Sequence, residues 1–200
     1  MKAEIEERFN QNLDRVTHLV AVYEAEIAGR GRRGVETTDV LRAAVVFLHA
    51  TLEDLLRSLL DWKLPLAPAK HLSDVPLQGK AARTKFTLDE LAAYRGRTVD
   101  DVIALSVSAS LEKSNFNDPG EVRDVLEKIG LRSDLLTPHR KVLGPMMARR
   151  HWIVHRADLN PAPGGGQHLA RPLHQDAVEE WHRVLTTFGK NVLAQLEEIR

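Results

Sequence analysis

The stretch that carries most of the chemistry-bearing residues is Met146-Met147-Ala148-Arg149-Arg150-His151-Trp152-Ile153-Val154-His155-Arg156-Ala157-Asp158. At the helical period, Leu143, Met146, Met147, Ile153, Val154 and Ala157 fall on one side, and Arg150 projects from the middle of that apolar side. His151 and His155, four apart, stack on its flank. A charge in the centre of an apolar stripe is costly unless it is paired or used. From Asp134 to Asp158 no acidic residue intervenes, while Arg140, Lys141, Arg149, Arg150 and Arg156 lie inside together with His139, His151 and His155. Such a basic patch suits a phosphate chain, and it is also the composition of a solvated helix face.

Three chemistries compete for this stretch. Two imidazoles at i,i+4 have the spacing to share one metal ion, but no glutamate stands between them and Arg150 and Arg156 would repel a cation. A structural role has Arg150 paired with Glu53 or another acid inside a bundle, with the histidines hydrogen-bonded at its edge. Phosphoryl chemistry on RNA is the third. A guanidinium is permanently charged and forked, which suits a scissile phosphate whose charge grows in the transition state. A histidine near its ordinary pKa of about 6.5 can take the proton of a 2′-hydroxyl or give one to the leaving oxygen. This third reading needs no metal and no cofactor. One such pair is a sparse site, and a symmetric dimer would bring two pairs across one cleft.

The Arg150-His151-Trp152-Ile153-Val154-His155 segment resembles the signature of HEPN domains (higher eukaryotes and prokaryotes nucleotide-binding): an arginine, a polar residue, three more and a histidine. The longer run Arg149 to Asp158 looks like the form carried by stand-alone bacterial members. The runs Arg42-Ala43-Ala44-Val45-Val46-Phe47-Leu48-His49-Ala50-Thr51-Leu52-Glu53 and Asn115-Phe116-Asn117-Asp118-Pro119 are also similar to that group, so the resemblance covers most of the chain. It implies a helical bundle that dimerises with the signature helices facing each other. Many relatives are metal-independent endoribonucleases in toxin–antitoxin, abortive-infection or CRISPR-linked defence, and others are inactive scaffolds. Carried over by position, Arg150 binds phosphate, His155 transfers protons and His151 fills the polar place after the arginine. Arg149 satisfies a looser spacing to His155, so the catalytic arginine is not unique. The subgroup silenced by nucleotidyl transfer to a tyrosine carries that tyrosine two positions past the histidine, where this chain has Ala157.

The elements that must position these residues read as all-α. Ile5, Phe9, Leu13, Val16, Val20, Tyr23 and Ile27 alternate steps of four and three, which predicts a first long helix from about Lys2 to Ala28. The run Gly29-Arg30-Gly31-Arg32-Arg33-Gly34 breaks it as a soluble turn. Thr37-Thr38-Asp39 supplies N-cap candidates for a second long helix to about Trp62, with Leu41, Ala44, Val45, Leu48, Leu52, Leu55, Leu56 and Leu59 as its core face. Two long seams joined by a short loop predict an antiparallel pair. His49, Glu53 and Arg57 form a polar line on this second helix, either an i,i+4 ladder or, through Glu53, a support for a catalytic group.

From Leu64 to Lys85 the pattern dissolves into a surface excursion with Pro65, Pro68, Pro76 and Gly79. Thr87-Leu88-Asp89-Glu90 is a capping box for a short helix to about Tyr94. Thr98-Val99-Asp100-Asp101 opens a longer helix to about Lys113, with Val102, Leu105, Val107 and Leu111 as its core. Asp118-Pro119 sets a cap and then proline at the first helical position, and Gly130 stops that helix. Thr137-Pro138 repeats the device, and Gly144-Pro145 is expected to kink or restart the helix of the key stretch. Asn160 to Gly166 reads as a loop or a small hairpin before a last helix from about Gln175 to Ile199. Its seam is Val178, Trp181, Leu185, Phe188, Val192, Leu196 and Ile199.

The totals agree with one domain over residues 1–200: 43% hydrophobic and 28% charged, with 28 basic residues against 28 acidic. The balance leaves any polyanion site local. The absence of cysteine excludes disulfides, thiol catalysis and zinc–thiolate sites. Met1-Lys2-Ala3-Glu4-Ile5-Glu6-Glu7 is too acidic and periodic for a signal peptide, and no apolar run approaches the roughly 18 residues of a membrane span. The sequence therefore points to a cytoplasmic HEPN-type bundle without membrane attachment. Its expected partners are RNA, a second copy of itself, and an antitoxin or defence-system protein. Arg150, His155 and His151 are the expected catalytic set, with Arg149, Arg156 and Glu53 around the substrate.

Overall fold

The computed structural model describes residues 1–28, 35–78, 86–112, 114–160 and 170–198, and among them the protein is all-helical. Seven α-helices follow in order: α1 Lys2–Ala28, α2 Val35–Lys63, α3 Leu88–Leu91, α4 Val99–Leu111, α5 Pro119–Lys128, α6 Arg140–Arg156 and α7 Gln175–Glu198. Short 3-10 turns at Leu64–Leu66, Ala69–His71, Ala92–Tyr94 and Ser133–Leu136 join several of them. The expected Gly/Arg turn at 29–34, the tip of the loop at 161–169, the expected helix end at Lys113 and the seam residue Ile199 lie outside the described residues.

Helix α2 is the centre of the bundle. Its eight expected core residues are all buried, each at most 1% exposed, because a stripe of leucine, valine and alanine this wide can be covered only from several sides. α1 lies antiparallel to it: Arg8 Nε donates to Asp54 at 2.8 Å near one end, and Arg15 stacks on the Phe47 ring near the middle. α7 runs antiparallel to α1, with Gln175 donating to Glu24 and His182 Nε2 donating to the Leu13 carbonyl at 3.3 Å. α4 packs on the far end of α2, where Ser108 donates to Asp61 and Arg57 to the Leu111 carbonyl. One contiguous apolar cluster draws on α1, α2, α4, α5, α6 and α7.

Local signals placed most helix ends. Thr98 accepts from the Asp101 amide at 3.1 Å while the Asp101 carboxylate accepts from the Thr98 amide, a reciprocal box that satisfies two donors otherwise orphaned at a helix start. Asp118 accepts from the Gly120 and Glu121 amides at 2.6 and 3.2 Å, with Pro119 next at the first helical position. Gly130 ends the α5 segment at φ +74, a left-handed conformation that glycine adopts without a Cβ clash.

Four expectations need correction. Thr37, Thr38 and Asp39 lie inside α2 rather than capping it; Thr38 and Asp39 instead accept from Arg42 at 2.8 and 2.9 Å. Pro145 does not restart α6, which begins at Arg140, five residues earlier in the chain, and continues through the proline. The Pro145 ring is exposed, so its missing N–H removes one helical hydrogen bond on the solvent side without opening the core. The apolar stripe of α6 is also shorter than the period suggests. Leu143, Met146 and Met147 are buried, Ile153 is half-buried, and Val154 is 49% exposed. The last turns of α6 therefore extend past the core that covers its first half. Finally, the excursion after Leu64 is partly ordered by two 3-10 turns and is tied down at Leu77, which is buried.

α1 and α7 approach closely at Gly189. A Cβ built on Gly189 would sit 2.2 Å from Cζ of Phe9, whose ring is 1% exposed and has no space to yield. Gly189→Ala is therefore expected to destabilise the protein by about 1–3 kcal/mol despite its better helix propensity. Urea denaturation checks this, and Phe9→Leu combined with Gly189→Ala should cost less than the sum of the two single changes.

Candidate functional site

The signature stretch occupies the C-terminal half of α6, which faces the N-terminal half of α2. The two consecutive arginines there have different environments. Arg149 is bound internally: its Nη2 donates to Asp158 Oδ2 at 2.6 Å, to the Arg171 carbonyl at 2.9 Å and to the Pro172 carbonyl at 3.1 Å. Arg42 reaches the same carboxylate from α2, Nε to Oδ2 at 2.9 Å, and its Nη2 donates to the same Arg171 carbonyl at 2.8 Å. Asp158 is completely buried, so two guanidinium groups share one carboxylate away from water. Arg149, expected among the substrate-binding residues, is a structural tie in this fold.

Asp158 is held in place by its backbone. Ala157 and Asp158 both have positive φ, 48 and 54, which turns the chain sharply off the end of α6. The Asp158 amide donates back to the Trp152 carbonyl at 3.0 Å, and its own carbonyl accepts from the Arg171 amide at 2.8 Å. A single antiparallel bridge, Leu159 with Ala170, closes the base of the expected hairpin. Two non-glycine residues in the left-handed region cost on the order of 1–3 kcal/mol each, and they persist because the surrounding ion pairs fix them.

Arg150 is half-buried, and among the described residues it has neither a hydrogen bond nor an ion pair. It lies close enough to His49 to act on it through space. His49 is fully buried on α2, and its Nε2 donates to the Phe116 carbonyl at 3.1 Å. Because that carbonyl can only accept, Nε2 carries the proton and Nδ1 is a lone pair, without a hydrogen-bond partner among the described residues. Nδ1 lies 3.7 Å from Glu53 Oε2, and Glu53 Oε1 accepts from the Phe116 amide at 3.5 Å. Arg57 donates to the carbonyls of Leu111 and Ser114. The polar line His49, Glu53 and Arg57 is therefore a clamp on the 111–116 segment. Glu53 makes no ion pair with Arg150.

His151 and His155 are exposed, and their rings meet at 4.7 Å between centroids, inclined by 46°. Arg156 is exposed and lies 5.8 Å from the centroid of the Trp152 ring, whose other contact is Arg171 at 3.9 Å. The end of α6 thus presents two imidazoles, an indole and two guanidinium groups to solvent or near it, with its nearest carboxylate sealed beneath. Among the described residues no three His, Asp or Glu side chains are grouped to hold a metal ion. Arg150 and His155 are five positions apart, about 140° around a helix of 3.6 residues per turn, so a strand touching both must lie across the helix rather than along it.

Arg42, Asp158 and Arg171 are the members that the sequence reading missed. Asp158 stood at the end of the quoted motif without a role. Its signal was an acid directly after a basic helix; Arg171, beyond the glycine loop, gave none. Comparison of the chain with protein-family models, with curated proteins and with solved structures finds no match.

Two outcomes follow from these environments. Asp158→Ala leaves Arg149 without its carboxylate and Arg42 with only the exposed Asp39, and is expected to cost about 3–5 kcal/mol. A large fall in the midpoint of thermal unfolding, with Arg149→Met and Asp158→Ala non-additive in combination, checks this. Burial pushes the His49 pKa below its ordinary value; Glu53 opposes the shift and Arg150 adds to it. The folded protein binds that proton less readily than the unfolded chain, so this contribution to stability is present above about pH 6.5 and is lost as pH falls below it. Denaturation between pH 8 and 5 should show wild type losing more stability than His49→Gln, and identical profiles would assign the loss to other groups.

Proposed function

We propose that the protein is a metal-independent endoribonuclease of the HEPN type, acting as a homodimer. The observation that carries this reading is the contrast between the arginines at the end of α6. Arg149 is engaged through its Nη2 by Asp158 and two carbonyls. Arg150 keeps its guanidinium fork free among the described residues, one position from an exposed imidazole. A half-buried, unneutralised guanidinium is costly unless a ligand completes it, and a phosphate diester matches its geometry and charge.

In this reading Arg150 holds the scissile phosphate and stabilises the extra negative charge of the transition state. His155 takes the proton from the 2′-hydroxyl as that oxygen attacks phosphorus. His151, or an imidazole of a second copy, gives a proton to the departing 5′-oxygen. The products are a 2′,3′-cyclic phosphate and a 5′-hydroxyl, and neither water nor metal enters the balance. Arg156 and Arg171, stacked about Trp152, supply positive charge beside the strand. Exposed Val154 and Leu159 give the same end of α6 an apolar surface for the second copy. A toxin or phage-defence effector, restrained by a partner protein, is the setting that fits such an activity.

A second reading rests on the His49 side of the site. Arg150 and the half-buried Glu53 both act on the buried His49, an arrangement that also serves a non-catalytic scaffold in which the charge of Arg150 is part of a buried polar group.

Purified protein incubated with total RNA in EDTA separates the two. The nuclease reading expects cleavage to ends bearing cyclic phosphate, reduced by about a hundredfold or more in Arg150→Ala and in His155→Ala while folding and dimerisation persist. Arg149→Ala should instead lower stability along with activity. A wild type that cleaves no faster than the double variant, together with a stability loss in Arg150→Ala alone, would leave the scaffold.

A further inference from the structure

An apolar hollow lies away from α6, between the 72–77 segment, α3 and the first half of α4. It encloses about 500 Å³, with walls from Leu72, Val75, Leu77, Leu91, Val102 and Ile103. We propose that this cavity binds a small amphipathic anion: a single apolar chain ending in a carboxylate or phosphate head.

The size is that of a site that buries a small organic molecule, and its walls are hydrocarbon. The polar groups at its base are already used. The Tyr94 hydroxyl donates to the Gln78 carbonyl at 2.7 Å, and the Ser106 hydroxyl accepts from the Gln78 amide at 3.0 Å. A ligand body placed there meets mostly hydrocarbon and few polar groups, which favours an alkyl or similar chain. The mouth has a different character. Phe86 and Val99, 49% and 74% exposed, extend the apolar surface outward, and Arg95 and Arg97 line the opening beside them. Both arginines are exposed, and among the described residues neither guanidinium makes a hydrogen bond or an ion pair. The Asp101 carboxylate acts on Arg97 only through space and is bound to the amide and hydroxyl of Thr98 at 3.1 and 2.7 Å. An apolar chamber under two unclaimed guanidinium groups is complementary to a molecule with a hydrocarbon tail and one anionic end. None of the residues assigned to RNA cleavage lines it, so this proposal and the nuclease reading fail independently.

Titration calorimetry of the full chain with decanoate, decyl phosphate and decanol, each below its micelle concentration, tests the assignment. Both anions should bind saturably, one per chain, and about tenfold or more tighter than the alcohol. The double variant Arg95→Ala and Arg97→Ala should bring the anions down to the affinity of decanol and leave decanol unchanged. Ile103→Trp fills the chamber and should abolish all three. Val99→Glu places a like charge at the mouth, in the first turn of a helix where a carboxylate is tolerated, and should weaken the anions alone. The proposal is overturned by absence of saturable binding, by equal affinity for anion and alcohol, or by decanoate binding that Val99→Glu does not change.

Discussion

Two guanidinium groups closing on one carboxylate out of contact with water hold the end of α6 against the rest of the protein. Asp158 would be intolerable in that position with no partner, and Arg149 would lose its carboxylate without it, while Arg42 would keep only the exposed Asp39. The three residues come from α2, from α6 and from the turn after α6, so their mutual need fixes where those segments lie. The Arg171 carbonyl, which accepts from both arginines, ties the chain entering α7 to the same point. Asp39 gives Arg42 a second carboxylate, and the ion pairs at Asp158 hold the backbone of Ala157 and Asp158 in a conformation neither residue favours.

A consequence is a division of labour along α6. Its first half is core, anchored by Leu143, Met146 and Met147. Its second half extends past the core with Arg150 half covered and His151, Val154, His155 and Arg156 exposed. Rigid support below and solvent above is the condition under which charged and titratable side chains can meet a strand without the scaffold moving to reach them. The polar side of α2 adds to that support. His49, Glu53 and Arg57 bind backbone groups of the segment between α4 and α5, which keeps the floor beside Arg150 in place.

The helical plan was legible because it depends on short-range physics. Alternating three- and four-residue steps placed α1, α2 and α7 to within a few residues at each end, and the boxes at Thr87 and Thr98, the Asp118-Pro119 start and the Gly130 stop marked shorter helices correctly. The errors also have local causes. Thr37 to Asp39 have the composition of a cap, yet the oxygens of Thr38 and Asp39 serve Arg42 four and three residues on, which no spacing rule distinguishes from capping. Pro145 suggested a break, but a proline whose lost hydrogen bond faces solvent can stay within a helix. Val154 lies on the apolar side of the helical wheel but beyond the end of the core that the wheel implies.

What the sequence by itself determined is the set of helices and the band of basic residues and histidines near the end of the sixth. Both are properties of neighbours in the chain, which periodicity and composition record directly. Only the tertiary structure decided which arginine is free. Arg149 and Arg150 are chemically identical and adjacent, and 100° of helical rotation sends one to a buried carboxylate and leaves the other available. That outcome depends on Arg42 and on the Arg171 carbonyl, more than a hundred and more than twenty residues away along the chain respectively from their meeting point with Asp158 and Arg149. Long-range charge pairing of this kind is selected by the cost of leaving a buried ion alone, and that cost has no signature until the chain is folded.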